Sequence, residues 1–131
     1  ARVRDLGSVS MSREELATAG GLEMEAVEEL KRLGLLEGRE AGTSVVYDGD
    51  ALLVARVATR FAEHGFDVRH LRMYLVAAQR EAGIIEQVLR PILREGDGRS
   101  RAEVRRLVDE LSDAGAALHD LLLRRSLGPF G

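Results

Sequence analysis

The chain has no cysteine and no tryptophan in 131 residues, and only two prolines. Without cysteine it can form no disulfide, no thiolate metal site and no thiol redox sensor. Lysine is nearly missing as well: of nineteen basic residues only Lys31 is a lysine, a bias that suggests a GC-rich genome. No apolar run approaches the roughly 20 residues of a membrane span, and no signal peptide is visible. A cytoplasmic protein is the default expectation. The net charge of −3 lacks the basic excess of a free-standing nucleic-acid binder. The chain opens Ala1-Arg2-Val3-Arg4 without a methionine, so it reads as part of something longer. What is present, 45% hydrophobic and 31% charged residues, suits one globular domain or two small lobes sharing a core.

Residues 1–10 carry little periodicity and read as an arm or linker. Ser12-Arg13-Glu14-Glu15 is a capping box, in which a hydroxyl and a carboxylate satisfy free N–H groups at a helix start. It predicts a short helix to about Ala19, broken by Gly20-Gly21. A second helix follows from about Glu23 to Leu33, with Ala26, Val27, Leu30 and Leu33 at helical spacing. Leu35-Leu36-Glu37 and Ser44-Val45-Val46-Tyr47 are β-prone and flank the turn-rich Gly38-Arg39-Glu40-Ala41-Gly42, which predicts a small hairpin. Asp48 or Asp50 then caps a helix running to about His64. Gly65-Phe66-Asp67 stops it, with Asp67 capping the next.

From Val68 the pattern changes. Val68, Leu71, Leu75, Ala78, Ala82, Ile85, Leu89 and Ile92 alternate three- and four-residue steps, an a/d seam. Gly83 weakens its middle, and Pro91 is expected to bend or end the helix. After the break at Glu95-Gly96-Asp97-Gly98-Arg99, Ser100 with Glu103 reads as a second capping box. A last helix then carries Val104, Leu107, Leu111, Ala114, Leu118 and Leu121 at the same spacing. An antiparallel helical hairpin over 68–126 is expected, with a tail over 127–131. Val108, Leu122 and Leu123 widen the last helix's apolar stripe beyond a two-helix seam. Leu107, Leu111, Leu118, Leu121 and Leu122 are therefore a candidate dimer face, the alternative being packing wholly within the chain.

No Ser/His/Asp set and no phosphate-cradling glycine loop stands out, so nothing points to an enzyme or a cofactor. The three histidines, His64, His70 and His119, include no pair at metal-ligand spacing. His64 and Asp67 read as capping or packing groups at a helix junction, and His119 lies late in the last helix, where a histidine can favour the helix dipole. Tyr47, Phe61, Phe66, Met73 and Tyr74 gather the large flexible and aromatic groups near the lobe junction, as core or as the lining of a ligand pocket.

The order helix, turn, helix, hairpin, helix, long helical pair resembles the MerR-type winged helix with its coiled coil. Glu15-Leu16-Ala17 followed by Gly21-Leu22 resembles that family's first helix and turn. Leu33-Gly34-Leu35-Leu36 with Arg39 resembles its entry to the wing, and Tyr47 with Asp50-Ala51-Leu52 its exit. His64-Gly65-Phe66-Asp67-Val68 and Leu71-Arg72 are similar to its next junction. The match covers roughly residues 11–75. The resemblance implies a mainly α fold: a degenerate winged helix-turn-helix over 11–67 and a helical hairpin over 68–126. It also places Arg39, Arg56, Arg60, Arg69 and Arg72 where the family meets phosphates, so they are candidates for DNA or acidic-partner contact. The bland reading of these arginines is a solvated face paired with Glu63 and Asp67.

The departures fall on the reading helix. Where MerR-like readers carry Arg-Tyr-Tyr-Glu, this chain has Val27-Glu28-Glu29-Leu30, and Glu23 to Leu30 holds four glutamates and no cation. Duplex DNA bears about one negative charge per 1.7 Å and would repel them. No Arg or Asn is present there to read base edges. Ser44-Val45-Val46 likewise stands where the family's wing has Gly-Tyr-Arg. A degenerate unit with a hairpin behind it resembles the C-terminal domain of actinobacterial MerR-like cell-division regulators, the FtsR type. That likeness extends over Ser12-Arg13-Glu14-Glu15-Leu16, Ala62 to Arg72, Ala77-Ala78-Gln79-Arg80 and Leu118-His119. It implies a DNA-reading domain before Ala1, and here a part that forms a homodimer, senses a small-molecule effector or contacts a protein effector. The alternative is a DNA-binding module in its own right, using Arg39 and the Arg56/Arg60 helix.

Overall fold

The computed structural model describes residues 9–94 and 98–131. The expected arm over 1–10 and the break over 95–99 fall largely outside the described residues. Ser12 accepts from the Glu15 N–H at 3.1 Å, while its own N–H donates to Glu15 Oε1 at 2.8 Å. This capping box starts α1 (Arg13–Gly20), and Gly21 ends it at φ 75°, a left-handed conformation that glycine adopts without strain. α2 (Met24–Arg32) is amphipathic, with Val27 and Leu30 fully buried. The N–H groups of Leu35 and Leu36 both turn back onto the Leu30 carbonyl, at 2.9 and 3.3 Å. The expected first strand at 35–37 is therefore a bend that tucks Leu36 into the core.

The strands lie later. β1 (Arg39–Ala41) pairs antiparallel with β2 (Ser44–Val46), Arg39 opposite Val46 and Ala41 opposite Ser44. Only Gly42 and Thr43 separate them, a two-residue hairpin connection that draws Arg39-Glu40-Ala41 into the ladder. Beyond β2, Tyr47 and Met11 exchange backbone hydrogen bonds at 2.8 and 2.9 Å, tying the chain before α1 to the hairpin. Asp48 rather than Asp50 caps α3 (Gly49–Ala62), accepting from the Ala51 N–H at 3.0 Å. Asp67 caps a 3-10 turn (Val68–Leu71), accepting from the Arg69 N–H at 3.0 Å.

These elements enclose one core of Leu16, Val27, Leu30, Leu36, Tyr47, Leu52, Ala55 and their neighbours. α1 crosses α3 closely because Gly20 faces Ala55; a Cβ on Gly20 would stand 2.7 Å from the Ala55 Cβ. Gly20→Ala is expected to cost about 1–3 kcal/mol in urea unfolding despite alanine's better helix propensity. Adding Ala55→Gly restores part of the loss, since the two sites share one space. An unchanged midpoint for Gly20→Ala would mean the helices do not meet there.

Packing divides the chain into a unit ending at Ala78 and a unit from Gln79 onward. The division falls inside α4 (Arg72–Leu93). Val68 and Leu71, which the heptad pattern groups with the hairpin, belong with the first unit's core, and Tyr74 packs against it as well. Pro91 lies within α4, which ends two residues later. α5 (Gly98–Leu127) begins two residues before Ser100, so Ser100 sits inside its first turn and the expected second capping box is not the start of the helix. A short 3-10 turn (Gly128–Phe130) follows. Within the second unit, Gly115 lies against the Glu81 carboxylate. Ile85 of α4 and Leu107 and Leu111 of α5 accompany Leu89 among the less exposed positions of the two helices. Leu89 is buried and the others half-buried. The architecture is thus mainly α with one small hairpin and a long helical pair. No described helix is long and apolar enough to cross a membrane.

Candidate functional site

α2 presents its glutamates away from the core. Glu23, Glu25 and Glu28 are exposed and Glu29 half-buried. Two of the four are neutralised locally. Arg13 of α1 donates to Glu28 at 2.7 Å, and Arg32 reaches Glu29 from one turn on, its Nε at 3.0 Å. The hydrogen bonds from Arg32 hold the Glu29 carboxyl below the usual carboxylate range, and Glu28 raises the Arg13 guanidinium. Glu23 and Glu25 make no ion pair with any described residue.

The five candidate phosphate arginines are found in separate settings. Arg72 donates to the Leu33 carbonyl and Arg56 to the Ala19 carbonyl at 3.5 Å. Each therefore caps the C-terminal end of another helix, where carbonyls lack partners. Arg69 pairs with its neighbour Asp67 at 3.4 Å. Arg39, on β1, and Arg60, on α3, make no ion pair with a described residue.

The aromatic candidates divide. Phe61 packs against Phe66 at 4.9 Å and against Tyr74 at 5.6 Å between ring centroids, and Phe66 meets the His70 ring edge-on at 6.1 Å. Tyr47 is buried in the core, and Met73 is exposed, so neither joins this row. The row borders two cavities in the first unit. One, of about 500 Å³, is walled by Leu35, Leu53, Val54, Val57, Phe61 and Tyr74. The other, of about 530 Å³, is lined by Val57, Arg60, Phe61, Glu63, His64 and Phe66. Leu53 and Val57 were not singled out in the sequence, and Arg60 was singled out only as a phosphate or acidic-partner contact. The signal was there: from Ala51 to Ala58 only Arg56 is polar. The core covers one stripe of such a helix, through Ala51, Leu52, Ala55 and Ala58. An apolar second face is left, with Val57 45% exposed.

The candidate dimer face also splits. Leu107 and Leu111 are half-buried, whereas Leu118, Leu121 and Leu122 are exposed, continuing to Leu123 and Leu127.

A helix-turn-helix frame with a two-stranded hairpin and a long helical pair defines the class. The chain belongs to the family described as Rv1828-like, C-terminal domain, which matches residues 9–130. Two relatives are 26% identical over 122 residues, covering 93% of this chain and 48% of their own length. They are named uncharacterized HTH-type transcriptional regulators, Mb1859 of Mycobacterium bovis and Rv1828 of Mycobacterium tuberculosis. The chain spans about half the length of the curated relatives it matches.

Proposed function

We propose that this chain is the regulatory half of a MerR-like transcription regulator of the FtsR type. In this reading it forms a homodimer and binds an effector, while a separate domain of the full-length cytoplasmic protein reads DNA. The observation that carries it is the acidic outer face of α2, the helix that would have to enter the major groove. Two of its glutamates are occupied by Arg13 and Arg32, and Glu23 and Glu25 still face outward. The names of the relatives and the half of their length left uncovered support a division of labour. The exposed leucines of α5 supply an apolar surface for a second copy.

Fluorescence anisotropy with duplex DNA at physiological salt tests the reading. The 131-residue chain is expected to bind no tighter than roughly 10⁻⁴ M, the loose end of non-specific association. Tight, sequence-dependent binding would instead support a DNA-binding module using Arg39 and the Arg56/Arg60 helix.

A further inference from the structure

We propose that the groove along α3 of one copy seats the C-terminal leucine segment of α5 from a second copy, with the two helices antiparallel. This deepens the homodimer reading and rests on it. The groove, of about 500 Å³, reaches the core at Leu30, Ala58 and Leu71, and α3 supplies Val54, Val57 and Phe61 to its sides. No residue of its walls carries a charge. At one end it continues into an acidic surface, since Leu35 and Val54 also line a hollow that holds Glu37, Asp48 and Asp50 and no cation. Asp50, Val54, Val57 and Phe61 follow at steps of four, three and four residues. One face of α3 therefore runs from a carboxylate into an apolar row about 10 Å long. Glu37 and Asp50 make no ion pair with a described residue.

The end of α5 carries the complementary order. Leu118, Leu121, Leu122 and Arg125 stand at i, i+3, i+4 and i+7, the spacing of a helix that lays one face into a groove. The three leucines are 57%, 66% and 39% exposed. Arg124 is held by Asp120, whereas Arg125 makes no ion pair with a described residue. Leu118 to Arg125 also spans about 10 Å along the helix axis. Laid antiparallel, the leucines cover Val54, Val57 and Phe61, and Arg125 falls at the Asp50 end. A parallel arrangement would bring Arg125 to the Phe61 end, where Glu63 is countered by Arg60. Self-pairing of α5 gives Arg125 no acid, because the residues before Leu118 on its face are Leu111, Ala114 and Gly115. A neutral small molecule would fill the apolar row and leave the acidic end unmatched.

Sedimentation equilibrium on the 131-residue chain tests the seat, with circular dichroism melts to show that each variant folds. Val57→Asp, at a position 45% exposed, is expected to raise the dissociation constant more than about a hundredfold with the melt unchanged. Asp50→Arg and Arg125→Asp are each expected to raise it about tenfold, since two equivalent pairs act in every dimer. Both changes in one chain are expected to restore it to within about threefold of the parent, by re-forming the pair with its signs exchanged. Chains carrying Val57→Asp, mixed with chains carrying Leu118→Asp and Leu122→Asp, are expected to form a mixed dimer at concentrations where neither variant associates alone. That mixed dimer keeps one of its two seats intact. A Val57→Asp chain that dimerises like the parent overturns the seat and leaves the homodimer standing, the groove then being open to a small apolar molecule or a different protein. A mixture that stays monomeric also overturns it. A parent that is a monomer at every concentration removes both the seat and the homodimer.

Discussion

Leu16→Ala lowers the unfolding free energy by about 2–5 kcal/mol, the cost of emptying a fully enclosed leucine site. Leu16 has no exposed surface and lies in α1, the helix whose Gly20 meets Ala55 of α3. The close crossing prevents the walls from collapsing inward, because α1 is held at both ends. The Ser12–Glu15 box fixes its start, and Thr59 holds its end by donating to the Gly20 carbonyl at 2.8 Å. A residual cavity therefore persists, and the expected effect sits toward the upper part of the range. For a unit of this size the melting temperature falls by about 15–40 °C. Thr43→Ala, in the exposed hairpin turn, is the control, expected within about 0.5 kcal/mol of the parent. Denaturant melts of both variants check the assignment, and a Leu16→Ala loss no larger than the control's would sink it.

The second large effect concerns assembly. Leu118→Asp combined with Leu122→Asp is expected to turn a dimer into a monomer, raising the dissociation constant by more than about a hundredfold. The two positions are one turn apart on α5 and are 57% and 39% exposed within the chain. Charges there cost the folded chain little, yet they place unpaired carboxylates in an apolar contact between copies. Leu111→Asp provides the contrast. Leu111 is half-buried within the chain, so a charge there is expected to lower stability as well as, or instead of, association. Sedimentation and thermal melts separate the two outcomes. A parent chain that sediments as a monomer at every concentration, or a double variant that remains a dimer, removes this surface as an interface.

Much of the fold was legible because its signals are local. Ser12, Asp48 and Asp67 cap the helices that their sequence contexts point to, each through a side-chain oxygen accepting from an N–H within three residues. The hairpin was legible as an element but not in position. Leu35-Leu36 has the composition of a strand, and the Leu30 carbonyl captures its N–H groups first. Ser100 misled in a similar way, since a capping pattern is only a possibility until the preceding residues leave the helix.

The site was less legible. Large aromatic and flexible side chains pointed to five residues, and three of them, Phe61, Phe66 and Tyr74, do adjoin. Tyr47 was drawn away by the core and Met73 by solvent. The arginines were grouped by their places in a family pattern, but Arg56 and Arg72 cap neighbouring helices through contacts 37 and 39 residues apart in sequence. No local rule links partners so distant.

By itself the sequence determined the order of helices, their caps, the missing thiol chemistry and the acidic outer face of α2. These depend on residue type and on spacings of three or four, which a single helix turn expresses whatever surrounds it. The tertiary structure alone decided which face of α3 the core leaves uncovered. It also decided which arginines are occupied by distant carbonyls, and where the α5 leucines pass from a half-buried seam to open surface. Those outcomes depend on which atoms meet across the fold, and burial and electrostatic pairing are properties of that meeting rather than of any one segment.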